Sequence, residues 1–305
     1  MVKFKLKTGK EIYLDGLLAP ALDTLVYNLP NDWDFVILIT GDRMVRTGKS
    51  VMAMSICAYL ADRLGTEYDN DNVFFDSQLM MDAAQNMPKY SIIHYDEARE
   101  GLAAIKTMKI IQQDLIDFFN ECGQLNHIFV LVLPDFFSMK EEIAVGRSEL
   151  LINVYRKNAK VMRDIYKQGT RIPVVRFDRG YFELFNRTKK RTLFDMAKSS
   201  KRKSYQLIKA NINGRFTNNY PIDKEIYIQK KKDALARFKE RKEKEKIPNS
   251  KSDLIRNKII MDWHLKGMSS PEIVEKMEKM YEFPISDRYV RTIIQEKRSM
   301  MALEE

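Results

Sequence analysis

Cysteine is nearly absent: the chain of 305 residues holds two, Cys57 and Cys122. That excludes a disulfide scaffold and a Cys-rich zinc site, and it makes a reducing, cytoplasmic setting the expected one. Histidine occurs three times, without ligand-like spacing, so a transition-metal centre is not expected either. No window approaches ~18 consecutive apolar residues, which excludes a membrane-spanning helix. The opening, Met1-Val-Lys-Phe-Lys-Leu-Lys7, alternates charge with apolarity and lacks the apolar centre of a signal peptide. Acidic residues are in deficit, 42 against 52 Lys and Arg, for a formal net charge of +10. This balance leans towards a polyanionic partner.

What is present is a regular alternation. At ~150 residues per domain the length suggests about two domains. Residues 1–34 read as a leader carrying a β-hairpin, with Glu11–Leu14 as the returning strand. Asp34–Thr40 is a short apolar, β-branched run, the pattern of a strand buried on both faces of a parallel sheet. Helical spacing follows over Val51–Leu64, then a strand at Asn72–Asp76, a short helix at Ser77–Gln85 and a strand at Tyr90–Tyr95. A long helix over Gly101–Cys122, with Gly123 as its C-cap, leads to strands at His127–Leu133 and Leu150–Tyr155. Strands alternating with helices predict an α/β fold with a mostly parallel central sheet, bounded at 35–158. Residues 159–228 read as a small basic α+β extension with β-like pieces at 172–177 and 180–185. Residues 229–252 read as a charged helix and linker, and 253–298 as a helix-turn-helix-like domain of three helices.

The stretch with most chemical content is Thr40-Gly-Asp-Arg-Met-Val-Arg-Thr-Gly-Lys-Ser50. A strand running into a glycine-containing loop, then Gly-Lys-Ser opening a helix, is the context of a phosphate-binding P-loop. Backbone N–H groups of such a loop converge on phosphate oxygens, where the helix dipole also favours negative charge. Gly41, Arg46, Thr47, Gly48, Lys49, Ser50 and Val51 form the candidate cradle. Lys49 would reach the β- and γ-phosphates of ATP, and the Ser50 hydroxyl would ligate Mg²⁺. The strict pattern wants glycine where Arg43 stands, and Gly41 comes two residues early, so the loop is either longer or built differently. A second apolar strand ends in adjacent carboxylates, Asp96 and Glu97. There Asp96 is the candidate metal anchor and Glu97 the group that polarises the attacking water.

Gly48-Lys-Ser50, His94-Tyr-Asp-Glu-Ala98 and Asn126–Pro134 together resemble the additional-strand P-loop ATPases of FtsK/HerA type. That group includes DNA-packaging motors and small viral or mobile-element members. The resemblance covers about 35–155. It implies a P-loop NTPase core hydrolysing ATP with Mg²⁺, a homo-oligomeric ring (hexamer or pentamer), and an arginine supplied to the γ-phosphate by a neighbouring subunit. Arg147 and then Arg99 are the candidates for that arginine. It also implies double-stranded DNA as cargo, a portal or other machine component as a partner, and the cytoplasm, a host's if the chain is viral.

Two further basic regions suit backbone phosphates. Arg187 to Lys203 holds eight basic residues and one acidic, with aromatic residues nearby; Arg187, Lys189, Lys190, Arg191, Lys201, Arg202 and Lys203 are its candidate contacts. In the C-terminal block, Ser270 with Pro271 and Ser286 are expected caps. The third helix would present Arg288, Arg291, Gln295 and Lys297 outward for groove or phosphate contact. Three functions fit these features: a motor that moves or packages DNA, an assembly or secretion ATPase moving protein, and a nucleotide-switched DNA-binding partition or regulatory factor.

Overall fold

A computed structural model describes the chain except for residues 1, 6–8, 10, 42–46, 97–104, 165–170, 247–250, 282–284 and 302–305. At 2–5, 105–112, 163–164, 171–172, 238–246, 251–254, 281 and 296–301 it describes the backbone alone. Period-two alternation at the start yields an antiparallel hairpin of β1 (Val2–Lys5) and β2 (Glu11–Leu14). Helix α1 (Ala19–Asn28), which the pattern did not announce, buries Leu22 and Leu25 in the same core as Leu14.

Strand β3 (Phe35–Gly41) is buried at every position. Phe35, Ile37 and Ile39 pack with α1 and with α2 (Lys49–Leu64) on one face. Val36 and Leu38 pack on the other with α3 (Ser77–Asn86) and α4 (Ile105–Glu121). The sheet is completed by β4 (Val73–Phe74), β5 (Ile92–Asp96), β6 (Ile128–Val132), β7 (Ser148–Asp164), β8 (Arg171–Phe185) and β9 (Ile212–Arg215). Its spatial order is β4-β5-β6-β3-β7-β8-β9. The first five strands are parallel to one another, and β8 and β9 add antiparallel. The fold is therefore α/β with a seven-stranded, mostly parallel mixed sheet and C-terminal helices. In sequence β4 lies between the two candidate motifs; in space it is β6 that separates β3 from β5. With Ile39 opposite Val132 and Val132 opposite Asp96, Asp96 sits level with the end of β3, two strands or on the order of 10 Å away.

Several elements depart from the local pattern. Strand β4 is only two residues long, because Asp76 turns to cap α3, accepting from the N–H groups of Gln78 and Leu79. α4 stops at Glu121, and the left-handed position is Asn126 (φ 52°) after a short 3-10 turn, not Gly123. Asparagine tolerates that conformation, and its amide donates to the Trp33 carbonyl at 3.3 Å. The pieces expected at 150–155, 172–177 and 180–185 are parts of two long strands, so residue 158 falls inside β7. The basic run is largely helical: α5 (Arg187–Ser200) is capped by Asn186 and buries Leu193 and Ala197.

The chain divides into two compact units, Met1–Leu235 and Ala236–Glu305, the division falling within α6 (Lys224–Lys246). The second unit packs α7 (Lys251–Leu265), α8 (Ser270–Tyr281) and α9 (Asp287–Met301) around Ile260, Met261, Ile273, Met277, Val290 and Ile294. Ile255 and Leu265 are exposed, since Ile260 and Met261 take the buried stripe of α7. The cap of α8 is Ser269, not Ser270: its N–H and hydroxyl both donate to Glu272. Ser286 caps α9 as expected, accepting from the Tyr289 N–H at 3.2 Å. Among the described residues no helix is long and apolar enough to cross a membrane.

Candidate functional site

The sheet brings the two candidate motifs to one edge. α2 begins at Lys49 with Gly48 as its N-cap in the left-handed region (φ 102°), where L side chains are strained, and no side chain caps the helix. Thr47 is 1% exposed, and its hydroxyl has no partner among the described residues. Gly41 is held by a close approach instead. A Cβ there would stand 2.8 Å from the Val154 carbonyl oxygen and 3.6 Å from the Lys49 ammonium, which lies over this glycine. Gly41→Ala is therefore expected to destabilise the fold by roughly 1–3 kcal/mol, since backbone must move. Chemical denaturation checks it, and an unchanged midpoint would contradict the packing.

Asp96 ends β5 and is 2% exposed. Burial alone would raise its carboxyl, but the Lys231 ammonium and hydroxyls from Tyr227 and Ser50 hold it below the usual carboxylate range. The Tyr227 hydroxyl donates to Oδ2, Lys231 Nζ lies 3.3 Å from the same oxygen, and Lys231 and Tyr227 are 3.1 Å apart. Burial lowers the Lys49 ammonium, and the Asp96 charge partly offsets this. The first turn of α2 and the end of β5 thus share one electrostatic neighbourhood, in which Ser50, Lys49 and Asp96 act on one another. Hydroxyl plus carboxylate is a hard oxygen donor set, suited to Mg²⁺. An uncapped helix start with an orphaned Thr47 hydroxyl suits an anion. The residues present fit both groups.

Tyr227 and Lys231 were not legible as site residues. They sit one turn apart on α6, which starts at 224 rather than 229 because Asp223 accepts from the Glu225 and Ile226 N–H groups at 2.9 and 3.1 Å. Tyr227 packs with Met54, Val73 and Ile222, which pins the helix against α2 and β4. The only signal was Asp223, a capping residue directly before the helix start at Lys224. Phe216 was likewise missed. Its ring lies where a Cβ on Gly48 would be, 3.0 Å from the nearest ring carbon, so the Gly214–Pro221 segment docks on the loop's glycine.

On the other side of β3, a cavity of about 330 Å³ adjoins Gly41 and is lined by Asn153, Glu183, Lys203 and Tyr205 among others. The Asn153 amide donates to Glu183 at 3.0 Å, and its carbonyl oxygen has no partner among the described residues. Tyr205 is tied to Thr40, hydroxyl to hydroxyl, at 2.8 Å.

His94, in the middle of β5, is fully buried, with Nδ1 bonded to the Tyr68 hydroxyl at 2.8 Å. Burial pushes its imidazole down to about 4 from 6.5. The unfolded chain then binds this proton below ~6.5 while the folded one does not until ~4, so stability falls as pH drops through that window. At pH 5 the loss is about 2 kcal/mol relative to pH 7.5, and His94→Gln is expected to remove that part of the dependence. Equal acid losses in the two proteins by urea titration would refute the assignment.

Other expected site residues are placed differently. Arg147 stands at the opposite sheet edge, beside the start of β3, bonded to Asp34 at 2.5 Å and 5.9 Å from the Phe119 ring. It is remote from its own chain's Lys49, and its guanidinium is already engaged. Lys190, expected to face an outside phosphate, is 0% exposed and donates to the Ser148 carbonyl. The cause is helical phase: it shares the inner side of α5 with Leu193 and Ala197. Lys189 is half-buried and donates to the Lys209 carbonyl at 2.8 Å, and Arg187 lies 3.6 Å from Glu149. Arg191, Lys201, Arg202 and Lys203 are exposed. In the second unit Arg288, Arg291 and Gln295 are exposed, and Arg291 pairs with Asp287 at 2.8 Å. Glu97, Arg99 and Arg46 lie outside the described residues, and Lys297 outside the described side chains.

The fold and site define an α/β chain whose buried aspartate meets a Gly-Lys-Ser helix start at the C-terminal edge of the parallel strands. No protein family, curated protein or solved structure matches the chain.

Proposed function

We propose that the chain is an ATP-hydrolysing motor acting on double-stranded DNA. In this reading ATP·Mg²⁺ is held by the 41–50 loop and Asp96, in a ring whose sites lie between subunits. The observation that carries it is that the Gly48-Lys-Ser50 helix start and the buried Asp96, 46 positions beyond Ser50 in sequence, come together at one sheet edge, with Asp96 acting on the Lys49 ammonium. A strand standing between β3 and β5 agrees with the additional-strand resemblance. When bound, ATP and Mg²⁺ supply the phosphoanhydride and the divalent charge. Lys49 would neutralise phosphate oxygens, Ser50 and Asp96 would hold the metal, and Glu97, the next residue in sequence after Asp96, would polarise the attacking water. Lys231 and Tyr227 satisfy the Asp96 carboxylate before the metal arrives, which keeps a buried charge from standing alone. The cavity beside Gly41 would offer Asn153 and Glu183 as hydrogen-bonding groups to a bound nucleotide.

The charge balance supports a nucleic-acid cargo. Arg191, Lys201 and Arg202 on the first unit and Arg288 and Arg291 on the second supply sequence-independent contacts. ATP turnover measured with and without duplex DNA, alongside native mass spectrometry, tests the reading. Turnover stimulated by duplex of any sequence, from a ring-sized species, is the expected result. Turnover unaffected by DNA, or no turnover at all, overturns it.

A further inference from the structure

β7 and β8 outgrow the sheet. β3 pairs with β7 only as far as Val154, and β9 pairs with β8 only from Tyr181. Beyond those positions, among the described residues, the two strands pair solely with each other, Lys157–Asp164 against Arg171–Asp178. At ~3.4 Å per residue this is a free ribbon on the order of 27 Å long. Because β7 runs parallel to β3, the ribbon leaves the sheet at the edge where β3 reaches Gly41.

Its chemistry differs from that of the sheet. Residues 156–179 carry eight Lys and Arg against two Asp. Of the described carboxylates, Asp178 is engaged by Arg176, at 2.7 and 3.1 Å. Arg156, Lys157, Lys160 and Arg179 have no carboxylate partner among the described residues. At the ribbon's base, cations lie over aromatic rings: Arg156 is 4.1 Å from the Phe177 centroid, and Lys157 and Arg215 are 4.5 and 4.8 Å from that of Tyr181. Along the ribbon, Met162, Val175 and Phe177 are each more than half exposed, and strand alternation puts them with Lys160 on one face. Among the described residues none covers that face.

We infer that this ribbon is a DNA-binding arm that enters the major groove of a duplex. Two strands ~4.8 Å apart with their side chains match a groove ~12 Å wide. The apolar face suits base edges and thymine methyls, while the flanking cations meet phosphates. Net charge argues against a protein partner of this chain's own basic composition. The choice of duplex DNA rests on the motor reading; the ribbon's charge and exposure do not.

Fluorescence anisotropy with a 30-base-pair mixed-sequence duplex, in the absence of nucleotide and across a salt series, tests the arm. Lys157→Ala/Lys160→Ala/Arg179→Ala changes exposed residues only, and its melting temperature confirms the fold. It is expected to lower the slope of log affinity against log salt by roughly 2–3, at ~0.9 per phosphate, and to weaken binding at least tenfold at 0.1 M salt. Phe177→Ala is expected to weaken duplex binding while leaving the slope unchanged. An unchanged slope and affinity in the triple variant overturns the proposal. So does a loss confined to single-stranded DNA, or a change in native mass with duplex affinity intact, which would make the ribbon a subunit contact. Duplex binding that depends on the ribbon in a chain that turns over no ATP would sink the motor and leave the arm standing.

Discussion

Lys49→Ala is expected to reduce Mg²⁺·ATP affinity and turnover by at least about a hundredfold while leaving the fold as stable as before. The ammonium lies over Gly41 at the uncapped start of α2, where it would meet the phosphate oxygens. One charge-assisted contact to developing phosphate charge in a water-poor site is worth roughly 3–4 kcal/mol. The folded state gives up little in exchange, because burial already disfavours this ammonium and lowers its proton affinity. Calorimetric titration with Mg²⁺·ATP and a thermal melt separate the two effects. Full retained turnover removes the 41–50 loop from the site. Lost binding accompanied by unfolding shows Lys49 to be structural.

Lys231→Ala is expected to have the opposite profile: a less stable ligand-free protein that gains more from Mg²⁺·ATP than the wild type does. Asp96 is almost fully buried, and Lys231 supplies the ammonium nearest its Oδ2. Removing one partner of a buried pair typically costs 3–5 kcal/mol, discounted here because the Lys231 side chain is about a third exposed. A loss of about 2 kcal/mol, or roughly 4–8 °C in melting temperature, is the expected result. Mg²⁺ then meets a carboxylate whose competing cation is gone, so the nucleotide-induced thermal shift widens. A melting temperature equal to that of the wild type would show that Lys231 is not the counter-charge. Tyr227→Phe serves as the milder companion, since it deletes one donor and keeps the ring that packs on Phe75 and Tyr220.

Local sequence carried much of the first unit. The β-branched run ending at Gly41 could only be a buried strand, and the turn into Gly-Lys-Ser could only open a helix, because apolar period and backbone preference act over a few residues. Candidate chemistry was legible for the same reason: Lys49, Ser50 and Asp96 each sit within a recognisable local pattern. Tertiary structure decided what those residues touch. Tyr227 and Lys231 lie 131 and 135 residues from Asp96. No periodicity links positions so far apart; only the docking of α6 against Met54 and Val73 does. Strand order belongs to the same category, because nothing in β6 announces that it stands between β3 and β5. Lys190 marks the limit most plainly. Charge density placed it outside, whereas the phase of α5 against β7 put its ammonium inside, on the Ser148 carbonyl. Sequence fixes the period of each element, and packing alone fixes which face of it meets water.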